Sequence, residues 1–171
     1  MLVAVYVDDI VITGNNSVDI QDFKAFLHEK FKIKDLGKLH YFLEMELLKV
    51  PNGLIMTQKK FTMDLLKDFQ CDTLTPTSYP LVPFSKASFT EDAPADATAY
   101  RKLVGKLNYL TNTRPDIAFS VQYLSQFLQT PSKAHMADAM HTLRYLKKDP
   151  SQGLFFNNSE EYNLQAYCDS D

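Results

Sequence analysis

The sequence predicts an α+β fold built from consecutive blocks, hairpins and helices first, helices alone later. Three observations predict it. Two apolar runs of strand length, Leu2 to Val7 and Ile10 to Thr13, meet around the carboxylate pair Asp8-Asp9. Apolar residues recur at helical spacing over 20–31 and 59–69, on either side of a second strand pair. Beyond a proline-containing stretch, three more helical patterns follow from Ala99 to Lys148 with short joints.

Taken in order, two β-rich runs separated by two polar residues predict a hairpin with Asp8-Asp9 as its turn. Asp-Asp is not a favoured turn pair, and a poor turn at such a place fits a functional one. Asn15 to Asp19 reads as a polar loop. Ile20, Phe23, Phe26, Leu27 and Phe31, interleaved with Asp22, Lys24, Glu29 and Lys30, predict an amphipathic helix broken by Lys34-Asp35-Leu36-Gly37. Tyr41 to Val50 and Gly53 to Thr57 predict a strand pair around the turn Pro51-Asn52-Gly53. Lys59 to Phe69 predicts a helix with Phe61, Leu65, Leu66 and Phe69 on one side and Thr57 as its cap.

Pro76, Pro80, Pro83 and Pro94 mark 71–98 as a linker or strap that wraps a surface or joins two units. Tyr100, Leu103, Val104, Leu107 and Leu110 predict the next helix. Arg114-Pro115-Asp116 restarts the chain, with Pro115 in a first turn. Ile117, Phe119, Val121, Leu124, Phe127 and Leu128 mark a second helix. Thr130-Pro131-Ser132 introduces a third, carrying Ala134, Ala137, Met140, Leu143, Tyr145 and Leu146 and ending before Pro150. Gly153 to Phe156 and Leu164 to Cys168 predict two strands around a turn at 157–161. A strand running into Asp169-Ser170-Asp171 at the last residue reads as truncated.

Composition narrows the function classes. A net charge of -3 and a pI near 5.8 argue against a basic nucleic-acid surface over the whole chain and leave room for a local basic face. Cys71 and Cys168 form neither a disulfide framework nor a metal motif, so buried thiols in a reducing compartment are expected. His28, His40, His135 and His141 show no zinc spacing with them. No apolar run spans a bilayer, and the run at Met1 reaches Asp8-Asp9 too soon for a signal segment. The absence of a Walker A or glycine-rich phosphate loop argues against an unrelated phosphotransferase.

The carboxylate hairpin has two readings on its own residues. Mg²⁺ takes oxygen ligands, often one or two carboxylates with phosphate oxygens, and two such ions can clamp an in-line phosphoryl transfer. An exposed Asp-Asp turn is also, more often, a solvated turn.

The ordered motifs decide between them by resemblance. Tyr6-Val7-Asp8-Asp9 with its apolar flanks resembles the polymerase hairpin of reverse transcriptases. Further stretches resemble the Ty1/copia class of LTR retrotransposon Pol polyproteins: Lys34-Asp35-Leu36-Gly37 with His40-Tyr41-Phe42-Leu43, Gly53-Leu54-Ile55 with Gln58-Lys59-Lys60, and Thr77 to Pro83. Then come the stretch from Tyr100 to Leu110, Thr113-Arg114-Pro115-Asp116-Ile117-Ala118-Phe119, Leu143-Arg144-Tyr145-Leu146-Lys147, and Ala166-Tyr167-Cys168-Asp169-Ser170-Asp171. Their order and spacing match over nearly the whole chain.

The resemblance implies a fragment of an RNA-directed DNA polymerase running into ribonuclease H. By it, 1–70 is a partial polymerase palm, 71–98 a linker or strap, 99–150 a three-helix thumb- or connection-like unit, and 151–171 an incomplete ribonuclease H edge. Missing palm strands are expected to leave apolar sheet edge and face exposed. Asp8 matches the indispensable Mg²⁺ ligand, Asp9 its less directly coordinated neighbour, and Asp169 the first metal ligand of ribonuclease H. A further palm carboxylate would precede Met1 and the remaining ribonuclease H ligands would follow Asp171. The chain is therefore expected to complete neither metal site and to be inactive alone. Implied partners are a template–primer and the remainder of a Pol polyprotein, with no membrane. The alternative is a non-enzymatic nucleic-acid or protein-binding module, which the helical bundle favours and the net charge disfavours.

Several residues keep two readings. Lys102, Lys106, Arg144, Lys147 and Lys148 either grip phosphates from a helical thumb or lie on a solvated helix surface. Arg114 either contacts the template–primer backbone or pairs locally with Asp116. Gln58-Lys59-Lys60 either approaches the primer strand or is a helix start capped by Thr57. Tyr6 either stacks on a base or sugar or faces a core. Glu44 stands where the resembled family has glycine, which would ease a backbone turn or a close approach to nucleic acid; a carboxylate there either repels phosphate or is a tolerated substitution on a solvated face.

Overall fold

A computed structural model describes residues 1–82, 93–159, 166 and 168, in two compact units, Met1–Leu43 and Glu44–Asp171. The boundary falls inside the block 1–70.

In the first unit, β1 (Leu2–Tyr6) pairs antiparallel with β2 (Asp9–Thr13), in the register Leu2↔Thr13 through Tyr6↔Asp9. The turn is therefore Val7-Asp8, one residue earlier than expected, and Asp9 is a strand residue. Val3, Val5, Ile10 and Ile12 share one face, since paired residues project to the same side of a sheet. All of β1 is exposed, with Val3 at 41% and Val5 at 67%, so an apolar face and edge lie open as expected.

Helix α1 (Ser17–Phe31) starts three residues before the predicted Ile20 because the Asn16 side chain accepts from Val18 N at 3.0 Å. It ends at Lys32, left-handed at φ 52, whose N–H closes on His28 O at 2.9 Å. Lys24 then ties the exit loop back through Asp35 at 2.9 Å. That hydrogen bond, joined by one from Gly37 N, holds the Asp35 carboxyl below its ordinary range. Leu27 is the buried hydrophobic of this unit among the described residues. A two-stranded hairpin is marginal in water without more support. Native-state hydrogen exchange should therefore find β1 and β2 amides open about a hundredfold faster, or more, than those of the buried helices below; equal protection would contradict this.

A short strand, β3 (Tyr41–Phe42), precedes a turn at Leu43 and Glu44, both at positive φ, 50 and 59. The family's glycine would sit at φ 59 without a Cβ clash, whereas Glu44 carries a cost of roughly 1 kcal/mol.

In the second unit β4 (Met45–Val50), β5 (Gly53–Thr57) and β6 (Gly153–Asn157) form antiparallel neighbours in that order. Gly153–Asn157, the first of the two strands expected after α5, adds to β5 from Gly53↔Asn157 to Thr57↔Gly153. The second predicted strand, Leu164 to Cys168, lies outside the continuously described residues. Glycines at both ends make the close approach possible: a Cβ on Gly53 would lie 2.1 Å from Phe156 O, and one on Gly153 2.2 Å from Met56 O.

The core is helical. Helices α2 (Lys59–Asp68), α3 (Ala97–Leu110), α4 (Ala118–Ser125, preceded by a 3₁₀ turn at Pro115–Ile117) and α5 (Lys133–Lys148) bury one continuous cluster. It runs from Leu65 and Leu66 through Leu103, Leu107 and Leu124 to Leu143 and Leu146. Four helices share it rather than the expected three, because the apolar face of α2 packs with the later ones. Each such leucine contributes about 2 kcal/mol of apolar burial. Tyr100 is fully buried and donates to Leu124 O at 2.8 Å; burial pushes its ionisation up.

Caps set the helix starts. Asp96 accepts from Thr98 N and Ala99 N, and Ser132 forms a capping box with His135. Thr57 does not cap α2. Its hydroxyl donates to Ser151 O at 3.0 Å, and the Glu46 carboxylate accepts from Lys60 N at 2.9 Å instead.

The strap lies along α5. Lys147 Nζ donates to Asp72 O at 2.6 Å and Leu74 O at 2.7 Å, and Arg144 Nε to Thr75 O at 2.8 Å. Thr77 N returns a bond to Arg144 O, Thr142 donates to Pro80 O at 2.9 Å, and His141 Nε2 meets Tyr79 O at 3.1 Å. Of the two expected roles, a wrapped surface is what residues 72–80 show. Cys71 at its root is buried and its thiol is pushed up by that burial; Cys168 is exposed.

Candidate functional site

The first unit presents Asp8 and Asp9 at the end of the hairpin, both exposed. A two-residue turn between Tyr6 and Asp9 fixes the position of Asp8 at its apex. Val7 adopts φ 49, which costs a β-branched residue about 1–2 kcal/mol and is a place glycine would normally take. Backbone strain of this kind beside two carboxylates is the local feature that departs from ordinary hairpin chemistry. Asp9 lies in the strand row with Tyr6, so the two carboxylates occupy different geometric positions. Tyr6 is 56% exposed and faces no core within its unit.

As donors the pair fits a hard divalent cation in kind, since both offer carboxylate oxygen. It falls short in number: among the described residues no group of three or more His, Cys, Asp or Glu could hold a metal ion. Asp169 lies outside the described residues.

The basic residues named from sequence all belong to the second unit, and most have protein partners. Arg114 is 2% exposed. Its Nε and Nη2 reach the two Asp116 oxygens at 3.0 and 2.8 Å, its Nη1 reaches Asp149 O at 2.9 Å, and its Cζ stands 5.7 Å over the Tyr145 ring. Tyr145 completes the latch by donating to Asp116 Oδ2 at 2.8 Å. Burial raises the Asp116 carboxyl, but the bonds from Arg114 and Tyr145 and the Arg114 charge outweigh it and leave it below the ordinary range. Of the two readings of Arg114, local pairing with Asp116 is present.

Arg144 and Lys147 hold the strap, as described above. Lys106 pairs with Asp68 at 2.6 Å; the Lys106 hydrogen bond holds that carboxyl below its usual range. Lys102 is exposed one turn before it on α3 and, of these five, alone has no hydrogen-bond partner among the described residues. The cation-to-carbonyl clamps were invisible in the sequence because a basic stripe on a helix looks the same whether its partners are phosphates or main-chain oxygens. The Arg114–Asp116 spacing was visible; Tyr145 and Asp149 were not.

Among the described residues no helix is long and apolar enough to cross a membrane.

Residues 1–83 match the family model "Reverse transcriptase (RNA-dependent DNA polymerase)". The chain is 40% identical over 168 residues to the "Retrovirus-related Pol polyprotein from transposon RE1" of Arabidopsis thaliana, covering 98% of this chain and 12% of that protein. It is 34% identical over 171 residues to an "Uncharacterized mitochondrial protein" of Arabidopsis thaliana, covering 100% of this chain and 71% of that protein. With the Pol polyprotein from transposon TNT 1-94 of Nicotiana tabacum it shares 32% identity over 181 residues, 100% of this chain and 14% of that protein. The chain thus spans about an eighth of the Arabidopsis Pol polyprotein, 12% of its length. No solved structure matches it. These matches run through both units, from the strained carboxylate hairpin to the buried bundle, and the chain belongs to the reverse transcriptase family of Ty1/copia-type retrotransposon Pol polyproteins.

Proposed function

We propose that this segment supplies the carboxylate hairpin of an RNA-directed DNA polymerase, with Asp8 as principal ligand of a catalytic Mg²⁺ and Asp9 as its neighbour. The observation that carries the reading is the Val7-Asp8 turn, a strained two-residue apex that holds an exposed carboxylate where family resemblance puts a metal ligand. Bound there, the ion would neutralise charge on phosphate oxygens. The protein's part is to fix the apex and leave it open to ligand.

A two-metal polymerase site needs further carboxylate oxygen. In this reading it comes from another part of a Pol polyprotein, and these 171 residues by themselves do not extend a primer. Asp169 is the corresponding first ligand of a ribonuclease H site that is likewise completed elsewhere. Lys102, exposed on α3, is the best-placed of the five basic residues to meet a template–primer phosphate; Lys106, Arg144 and Lys147 reach one only by leaving protein partners.

Paramagnetic broadening by Mn²⁺ tests the ligand assignment without requiring activity. Titrated into the labelled chain, Mn²⁺ should broaden the Val7, Asp8 and Asp9 amides first, and Asp8→Asn should remove the effect. Broadening confined to other acidic surfaces would overturn the assignment.

A further inference from the structure

A cleft of about 430 Å³ opens between the strap, the end of α5 and the turn before α4, lined by Ser78, Arg114, Tyr145, Lys148, Asp149 and Gln152. We propose that it is a seat for a phosphoryl group, separate from the carboxylate hairpin.

Its chemistry is mostly donor. A guanidinium has five N–H groups, and Arg114 spends three of them on Asp116 and Asp149 O. The others belong to a side chain that lines the cleft, is itself 2% exposed and also meets the Tyr145 hydroxyl. The bidentate pair with Asp116 and the Tyr145 ring hold the guanidinium in place, so no side-chain freedom is lost when a ligand arrives. Lys148 adds an ammonium group whose one hydrogen bond among the described residues, to Ser78 Oγ at 3.5 Å, is long enough to yield to a better acceptor. The Ser78 hydroxyl and the Gln152 amide add neutral donors.

Charge selects the ligand class. Arg114 is offset by Asp116, and the Asp149 carboxylate, which lines the same cleft, already accepts at Oδ1 from Ser151 N at 3.1 Å and Ser151 Oγ at 2.8 Å. A balanced cleft with a surplus of donors does not attract a cation. It suits a compact group with several acceptor oxygens, bound through charge-assisted bonds. The local balance limits affinity to the order of a millimolar dissociation constant. Because Ser78 belongs to the strap, a bound phosphoryl group would also fasten the strap to α5.

The source is either free phosphate chemistry or a nucleic-acid backbone, and one titration separates them. Inorganic phosphate, then a short single-stranded RNA, is added to the labelled full chain while amide shifts are followed. The expected result is a saturable shift of the Ser78 and Gln152 amides with phosphate, weakened roughly tenfold in Lys148→Gln. Displacement of phosphate by RNA at the same amides assigns the seat to a backbone phosphate; phosphate shifts without RNA competition assign it to a free phosphoryl ligand. Ser78→Ala, which leaves the Arg114 latch intact, should weaken binding less than Lys148→Gln. Shifts absent from Ser78 and Gln152, or unchanged affinity in Lys148→Gln, would overturn the proposal. Neither result depends on the hairpin, whose reading stands or falls by Mn²⁺ broadening.

Discussion

Arg114→Ala is expected to destabilise the helical unit by about 3–5 kcal/mol, the range found when one partner of a buried ion pair is removed. Three contacts go at once: the bidentate pair with Asp116, the bond to Asp149 O, and the packing over Tyr145. More costly than their loss is the Asp116 carboxylate left behind, with 25% of its side chain exposed. Arg114→Lys should recover part of the loss, since it keeps the charge and loses the fork. Urea denaturation measures both. A change below about 1 kcal/mol in Arg114→Ala would place the pair with ordinary surface ion pairs instead.

The same latch predicts a pH dependence. The folded Asp116 carboxyl lies below its ordinary value of 3.8, so it contributes stability above that value and loses it as pH falls through the folded one. Without Arg114 the lowering loses its largest source and burial still raises the group. The part of the acid limb that comes from Asp116 should therefore shrink or vanish in Arg114→Ala, leaving a flatter stability profile below about pH 4.

In a polymerase that contains this segment, Asp8→Asn is expected to cost on the order of a thousandfold in primer extension, because a neutral amide replaces a charged oxygen ligand. Asp9→Asn should cost less, roughly tenfold. The difference follows the family resemblance, which makes Asp8 the principal ligand, and the two residues also sit differently. Asp8 sits at the apex set by Val7 at φ 49, while Asp9 is a strand residue opposite Tyr6. Asparagine is close in shape to aspartate and tolerates turn positions, so the hairpin survives either change.

Much of the fold was legible because period and punctuation agreed. Helical spacing in α2, α3 and α5 and the Pro51-Asn52-Gly53 turn gave elements close to their observed bounds. The errors have physical causes. The hairpin turn was placed one residue late because two acidic residues look like a turn, whereas the register with Thr13 puts the strained valine in it. Partner choice is non-local, so neither the pairing of Gly153–Asn157 with β5 nor the entry of α2 into the later helical core could be read from local pattern. For the site, motif order pointed to the carboxylates. What it missed was the work of Arg144 and Lys147 on strap carbonyls, since charge spacing along α5 carries no record of the partner.

The most direct measurement is single-turnover primer extension on an RNA template by a complete Pol polymerase carrying this segment, with template–primer affinity measured on the same protein. The account predicts that Asp8→Asn loses the extension rate while affinity for template–primer stays within about twofold. Extension at the unaltered rate, or a rate that falls only in step with affinity, would contradict it.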